Sequence, residues 1–128
     1  MRILLVEDEI HVRLALARPL AAWGYGVIET TSVATASATL LSEQVDLAVV
    51  DVNLPDGTGW DVLQLIRNGQ SCNIPTIVIS AIAPSTERLC QFRPFGVLLK
   101  PFPIESLRQL VSRASESADK AEGEPQDA

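Results

Sequence analysis

Val45-Asp46-Leu47-Ala48-Val49-Val50-Asp51 runs directly into Val52-Asn53-Leu54-Pro55-Asp56-Gly57-Thr58-Gly59. The first stretch is apolar and β-branched, the pattern of a fully buried strand. Asp51 closes it, where the strand gives way to a Pro/Gly loop. A carboxylate there stands at the carboxyl edge of a sheet, and open α/β sheets keep their binding crevices at that edge. A strand-ending Asp also serves as an ordinary turn cap. Three other features of the chain weigh against that plainer role.

Working outward, five short apolar runs alternate with amphipathic stretches. Ile3 to Val6, Val27 to Thr30, Leu47 to Asp51, Ile74 to Ser80 and Gly96 to Leu99 read as strands. Between them lie predicted helices over Ile10 to Trp23, from the Ser32 cap to about Glu43, over Trp60 to Asn68 and from Ile104 to about Ala114. The first helix places Ile10, Leu14, Ala17 and Ala21 at helical spacing, widened by Leu16 and Leu20. Residues 83–94 leave room for about two helical turns between Pro84 and Pro94. Such alternation predicts a parallel sheet covered on both faces, with right-handed crossovers.

All carboxyl ends of a parallel sheet lie on one edge. That edge would gather Glu7-Asp8, Asp51, Ser80 and Lys100. Crowded carboxylates repel, and one is expected to titrate upward unless a cation is present. Mg²⁺ suits such a site, because it takes few carboxylates, several waters and a phosphate oxygen. Glu9 is better read as a helix N-terminal acid complementing the macrodipole. Lys100 is one of only two lysines, and at the end of a buried strand it needs a partner. It would offset the acids or bind a phosphoryl oxygen as a point charge. Ser80 could donate to a second such oxygen.

Four segments, Ile3-Leu4-Leu5-Val6-Glu7-Asp8-Glu9, Asp46 to Gly59, Ile74 to Ala81 and Leu98-Leu99-Lys100-Pro101-Phe102, together resemble the receiver domain of two-component response regulators. The resemblance covers roughly residues 1–113. It implies a flavodoxin-like (βα)5 doubly wound parallel sheet in the order 2-1-3-4-5, an order for which a receiver protein is itself a standard example. It implies that Asp51 takes a phosphoryl group from a phosphohistidine on a histidine kinase or histidine phosphotransfer protein. Asp8 and Asp51 would ligate Mg²⁺ (or Mn²⁺) directly, Glu7 through water and Asn53 through its backbone carbonyl. Lys100 and Ser80 would hold the phosphoryl oxygens, and Lys100-Pro101 would be cis. Such a protein signals through contacts with a downstream protein target. It is not an enzyme beyond its own phosphorylation and dephosphorylation, and is expected as a monomer or weak dimer.

The chain departs from the pattern in one region. The position three before the lysine, usually Tyr or Phe, is Val97. The segment from Ser80 to Lys100 is about two residues short, and Arg93-Pro94-Phe95-Gly96 replaces the usual Gly-Ala-Asp-Asp. A short or irregular fourth helix is therefore expected, with signalling carried by the loop after Ser80 and Phe92 or Phe95 standing in for the missing ring. Other features read plainly: His11 as a surface or rim residue, Trp23 as helix-end packing, and Trp60 as an optical reporter of the site.

Other functions fit less well. A haloacid-dehalogenase-type phosphatase needs a second acid where Asn53 stands, and a cap domain that this length does not hold. A flavin binder needs a hydroxyl- and Gly-rich loop in place of Glu7-Asp8-Glu9. A P-loop is absent. A relay intermediate or phosphate sink remains a variant of the same chemistry.

Composition agrees with a soluble globular protein: 128 residues, 47% hydrophobic, 20% charged and a formal net charge of −6. The expected division is a receiver domain over residues 1–115 and an acidic, disordered tail over 116–128. No basic patch predicts nucleic-acid binding, and no apolar run is long enough for membrane insertion. Cys72 and Cys90 lack metal or redox spacing and read as reduced, inert thiols of a cytoplasmic protein. A chain ending after the fifth helix would act as a stand-alone, chemotaxis-type receiver.

Overall fold

The computed structural model describes residues 1–69 and 73–123. Five strands form one parallel sheet: β1 (Arg2–Val6), β2 (Gly26–Thr30), β3 (Leu47–Asp51), β4 (Thr76–Ser80) and β5 (Gly96–Leu99). Their spatial order is β2-β1-β3-β4-β5, as the family resemblance implies. Helices α1 (Ile10–Ala22), α2 (Val33–Ser42), α3 (Gly59–Asn68), α4 (Thr86–Phe92) and α5 (Ile104–Gly123) connect and cover it. A two-residue hairpin, Asn53–Leu54 against Gly57–Thr58, sits in the β3–α3 connection.

Every residue of β3 and β4 is buried, which is why these runs read as continuously apolar rather than alternating. Their side chains divide between two cores. Ile3, Leu5, Leu47, Val49, Ile77 and Ile79 point toward α1 and α5, where Leu16, Leu20, Leu107 and Val111 meet them. Leu4, Val6, Ala48, Val50 and Val78 point the other way, onto Val62, Leu63 and Ile66 of α3. The period of two along each strand assigns the faces.

Two expectations are corrected. In α1 the buried stripe is Leu16, Ala17 and Leu20, while Ile10 is exposed. The helix is apolar on much of its circumference, so its period does not single out one face. Gly24, at φ +99, stops the chain just beyond it. The stretch from residue 116, expected on composition to be disordered, continues α5 as far as Gly123. Ala and Glu are strong helix formers and no Pro or Gly intervenes before Gly123, so propensity outweighs the acidic charge. Residues 124–128 of the expected tail lie outside the described residues, as does Cys72; Cys90 is free and exposed.

The short fourth helix is present. Ser85 caps it by accepting from the Arg88 N–H, and Arg93 ends it in the left-handed region at φ 47, ahead of Pro94. Arg67 of α3 holds its end, donating from Nε and Nη2 to the Phe92 carbonyl at 3.3 and 3.2 Å.

One close approach positions the strand end. A Cβ on Gly59 would stand 2.5 Å from the Asp51 carbonyl oxygen and 3.0 Å from Val50 Cγ1. The first turn of α3 can rest on the end of β3 only because no side chain intervenes. Gly59→Ala is expected to destabilise the protein by about 1–3 kcal/mol through overpacking. Urea unfolding checks this, with an unchanged midpoint as the contrary result.

Candidate functional site

Glu7, Asp51, Ser80 and Lys100 follow β1, β3, β4 and β5 or close them, and the parallel register brings them to one edge. Main-chain hydrogen bonds lock the strand ends together. Glu7 N donates to Thr30 O at 3.0 Å, Val52 N to Ile79 O at 3.0 Å and Lys100 N to Ser80 O at 2.8 Å. The Lys100-Pro101 bond is cis.

Asp51 is 3% exposed and Glu7 2% exposed, so two acids are buried side by side. Lys100 Nζ donates to Asp51 Oδ2 and, at 3.4 Å, to Glu7 Oε1. Asn53 N donates to Asp51 Oδ1 at 2.7 Å, and Glu9 N to Glu7 Oε2 at 3.1 Å. Each carboxylate oxygen of the pair thus has a donor, as buried polar groups require.

One ammonium does not balance two buried carboxylates. Burial pushes the Glu7 carboxyl from 4.5 up to about 7, and its hydrogen bond to Asp51 adds to the rise. Burial alone would lower the Lys100 ammonium; the hydrogen bond and charge of Asp51, with Glu7, outweigh it and hold it above its ordinary value. The cluster therefore has room for further positive charge.

Asp8, next to Glu7 in the chain, is exposed. Among the described residues no three His, Cys, Asp or Glu side chains form a ready metal cage. The donor set still suits Mg²⁺, which keeps several waters and uses one or two carboxylates. Glu7, half-neutralised by a proton near pH 7, is the group such a cation would relieve. Ser80 is in place but otherwise engaged: its hydroxyl donates to Ile82 O at 2.6 Å and accepts from Ile82 N at 3.1 Å. His11 is exposed, and its backbone N–H belongs to the Glu9 cap of α1.

Two contributors escape sequence reasoning. Asp56, in the loop after Asp51, accepts from the N–H groups of Val33 and Ala34 at 2.8 and 3.0 Å. These donors at the start of α2 hold its carboxyl below the usual range. The loop that carries Asn53 is thereby tied to a second helix. Trp60 and Phe92 stack with centroids 5.4 Å apart, joining α3 to α4 under the Arg88 guanidinium. The i,i+4 spacing of Arg88 and Phe92 was the available signal for a shared face, but not for the partner. Phe95 is partly exposed, at 39%, so of the two candidate rings only Phe92 is packed near the site.

The chain is similar to known proteins. The family model for the response regulator receiver domain matches residues 3–112. The swarming motility regulation protein RssB of Serratia marcescens is 36% identical over 116 residues, 88% of this chain and 51% of that protein. The chain spans between about a tenth and about half the length of the curated relatives it matches. Among solved structures, the response regulator TrrA of Thermotoga maritima, in complex with Mg²⁺–BeF, superposes with a TM-score of 0.79 at 25% identity, covering 88% of this chain and 97% of that one. The non-phosphorylated HemR receiver domain of Leptospira biflexa also reaches 0.79, at 30% identity over 88% and 92% of the two chains.

Two tests follow from the geometry. Glu7 binds its proton more tightly in the folded protein than in the unfolded chain. Without metal, its contribution to stability is full below about pH 4.5 and is lost as pH rises toward about 7. Melting curves of wild type and Glu7→Gln across this range should therefore diverge, with wild type losing ground as pH rises; parallel curves would contradict the raised carboxyl. Asp56→Ala should lower the melting temperature and loosen the Asn53 loop, seen as faster amide exchange at residues 53–58. Unchanged exchange there would remove Asp56 from the support of the site.

Proposed function

Because the chain belongs to the receiver domains of response regulators, phosphorylation-dependent switches of two-component systems, we propose that Asp51 is its phosphoacceptor and that Lys100 and Ser80 hold the phosphoryl oxygens. The observation that carries this reading is the buried Asp51–Glu7 pair sharing the Lys100 ammonium at the sheet edge.

An Asp51 oxygen attacks phosphorus in line, the Oδ–P bond forms, and the bond to the donor's leaving atom breaks with its electron pair. For this the carboxylate must be ionised and one oxygen released from its present donor. Lys100 moves from Asp51 Oδ2 to a phosphoryl oxygen as a point charge. Ser80 exchanges its turn with Ile82 for a second phosphoryl oxygen, which pulls on the loop from 81 to 85. The Asn53 N–H keeps the other Asp51 oxygen fixed, so positioning and charge neutralisation do most of the work.

Glu7, Asp8, Asp51 and the Asn53 carbonyl would hold Mg²⁺, with Mn²⁺ as a substitute. The cation supplies neutralisation of the carboxylates and the incoming phosphoryl charge. The carboxyl of Glu7, raised by burial beside Asp51, supports this ligand set. The presence of Mg²⁺–BeF in the TrrA complex is consistent with it.

The partners under this reading are a histidine kinase or histidine phosphotransfer protein upstream and a protein target downstream. The receiver unit would span residues 1–115. A cytoplasmic site of action and a monomer or weak dimer belong to the same reading; no described helix is long and apolar enough to cross a membrane.

Incubation with Mg²⁺ and a small phosphodonor should add one phosphoryl group by intact mass, and Asp51→Asn or chelation should abolish it. Mg²⁺ alone should stabilise wild type by about 1.4 kcal/mol at a tenfold excess over Kd. An adduct that persists in Asp51→Asn would move the acceptor elsewhere.

A further inference from the structure

Beside Asp51, on the α4 side, lies a pocket of about 220 Å³. Its wall includes Asn53, Trp60, Ser80, Ile82 and Arg88, and among the described residues Arg88 is the only charged side chain that lines it. The guanidinium lies 5.6 Å from the Trp60 ring centroid and 6.0 Å from that of Phe92. Trp60 follows Gly59, which rests on the Asp51 carbonyl. Phe92 is held through its carbonyl by Arg67. Arg88, itself exposed, thus lies over two stacked rings, on a helix of 7 residues.

A guanidinium stacked on rings keeps its N–H edge available for an anion. Among the described residues no carboxylate comes within ion-pair distance of it. Asp8 and Glu9, which follow β1, are exposed and do not line the pocket. An anionic group that enters this pocket meets the Arg88 guanidinium as the charged side chain of its wall. Neither the phosphoryl oxygens assigned to Lys100 and Ser80 nor the carboxylates assigned to the metal account for this cation.

We propose that Arg88 is a specificity-determining residue for the phosphoryl donor: it engages the anionic leaving group of acyl phosphates at the mouth of the crevice. This rests on the reading of Asp51 as phosphoacceptor. In the transfer an Asp51 oxygen forms its bond to phosphorus while the P–O bond to the acyl group breaks. The acyl oxygen leaves with the electron pair as a carboxylate, and negative charge grows on it beside Arg88. With a phosphoramidate donor, –PO₃²⁻ bonded to –NH₃⁺, the P–N bond breaks and neutral ammonia leaves. That leaving group gains nothing from a guanidinium.

The test compares phosphorylation rates with acetyl phosphate and with phosphoramidate, in Mg²⁺ at constant ionic strength, read by intact mass. The ratio of the two rates should fall roughly tenfold in Arg88→Ala, the scale of one charge-assisted hydrogen bond at a half-open site. Arg88→Gln should behave like Arg88→Ala, and Arg88→Lys should recover part of the ratio. Raised salt should lower the wild-type ratio and leave that of Arg88→Ala nearly flat. An unchanged ratio in Arg88→Ala, including equal slowing with both donors, overturns the proposal and leaves Asp51 as acceptor. No adduct on wild type with either donor overturns the reading of Asp51 and this proposal with it.

Discussion

The contact on which the rest depends is the ammonium of Lys100 between the carboxylates of Asp51 and Glu7. Two acids more than nine-tenths buried cannot both be charged there unless something positive reaches them. Lys100 reaches them because its strand pairs with β4, and β4 pairs with β3, so three strand ends stand side by side. Sheet order and the main-chain hydrogen bonds at the strand ends bring one cation to this place. One ammonium does not offset two carboxylates, and that deficit favours a further cation at the site.

From this cluster the contacts run sideways as well as outward. Gly59 allows α3 to touch the end of β3, Trp60 carries that contact to Phe92, and Arg67 ties down the carbonyl end of α4. In a chain with Val97 where a ring usually stands, this is a packed route between Asp51 and the fourth helix. The loop after Ser80 is its other margin. Phe92 therefore has a defined place in the architecture, whereas Phe95 stands partly in solvent.

Much of this was legible in the sequence because the strands are short apolar runs that end in polar residues. Continuous apolar runs located β3 and β4, and their last residues located Asp51 and Ser80. Lys100 was visible because lysine is rare in the chain. The misreadings share a cause, which is that local pattern competed with something else. In α1 the apolar surface is too broad for its period to choose Leu16 over Ile10. In α5 the acidic composition concealed good helix-forming residues. The contacts of Asp56 and Arg88 are tertiary. Asp56 meets backbone groups 22 and 23 residues away, and no spacing rule reports that.

The order of charges along the chain has a consequence for how the molecule is assembled. Glu7 and Asp51 belong to the first three strands, but their cation lies 93 and 49 residues further on. As the chain leaves the ribosome, β1, β2 and β3 are available before Lys100 has been made. In that interval the two carboxylates face each other with no ammonium between them, so a prematurely closed half-sheet is penalised by their repulsion. The edge strand β5 is then more than a cover for β4. Its arrival brings an ammonium to the two carboxylates at the ends of the central strands, and the N-terminal half is discouraged from settling without it.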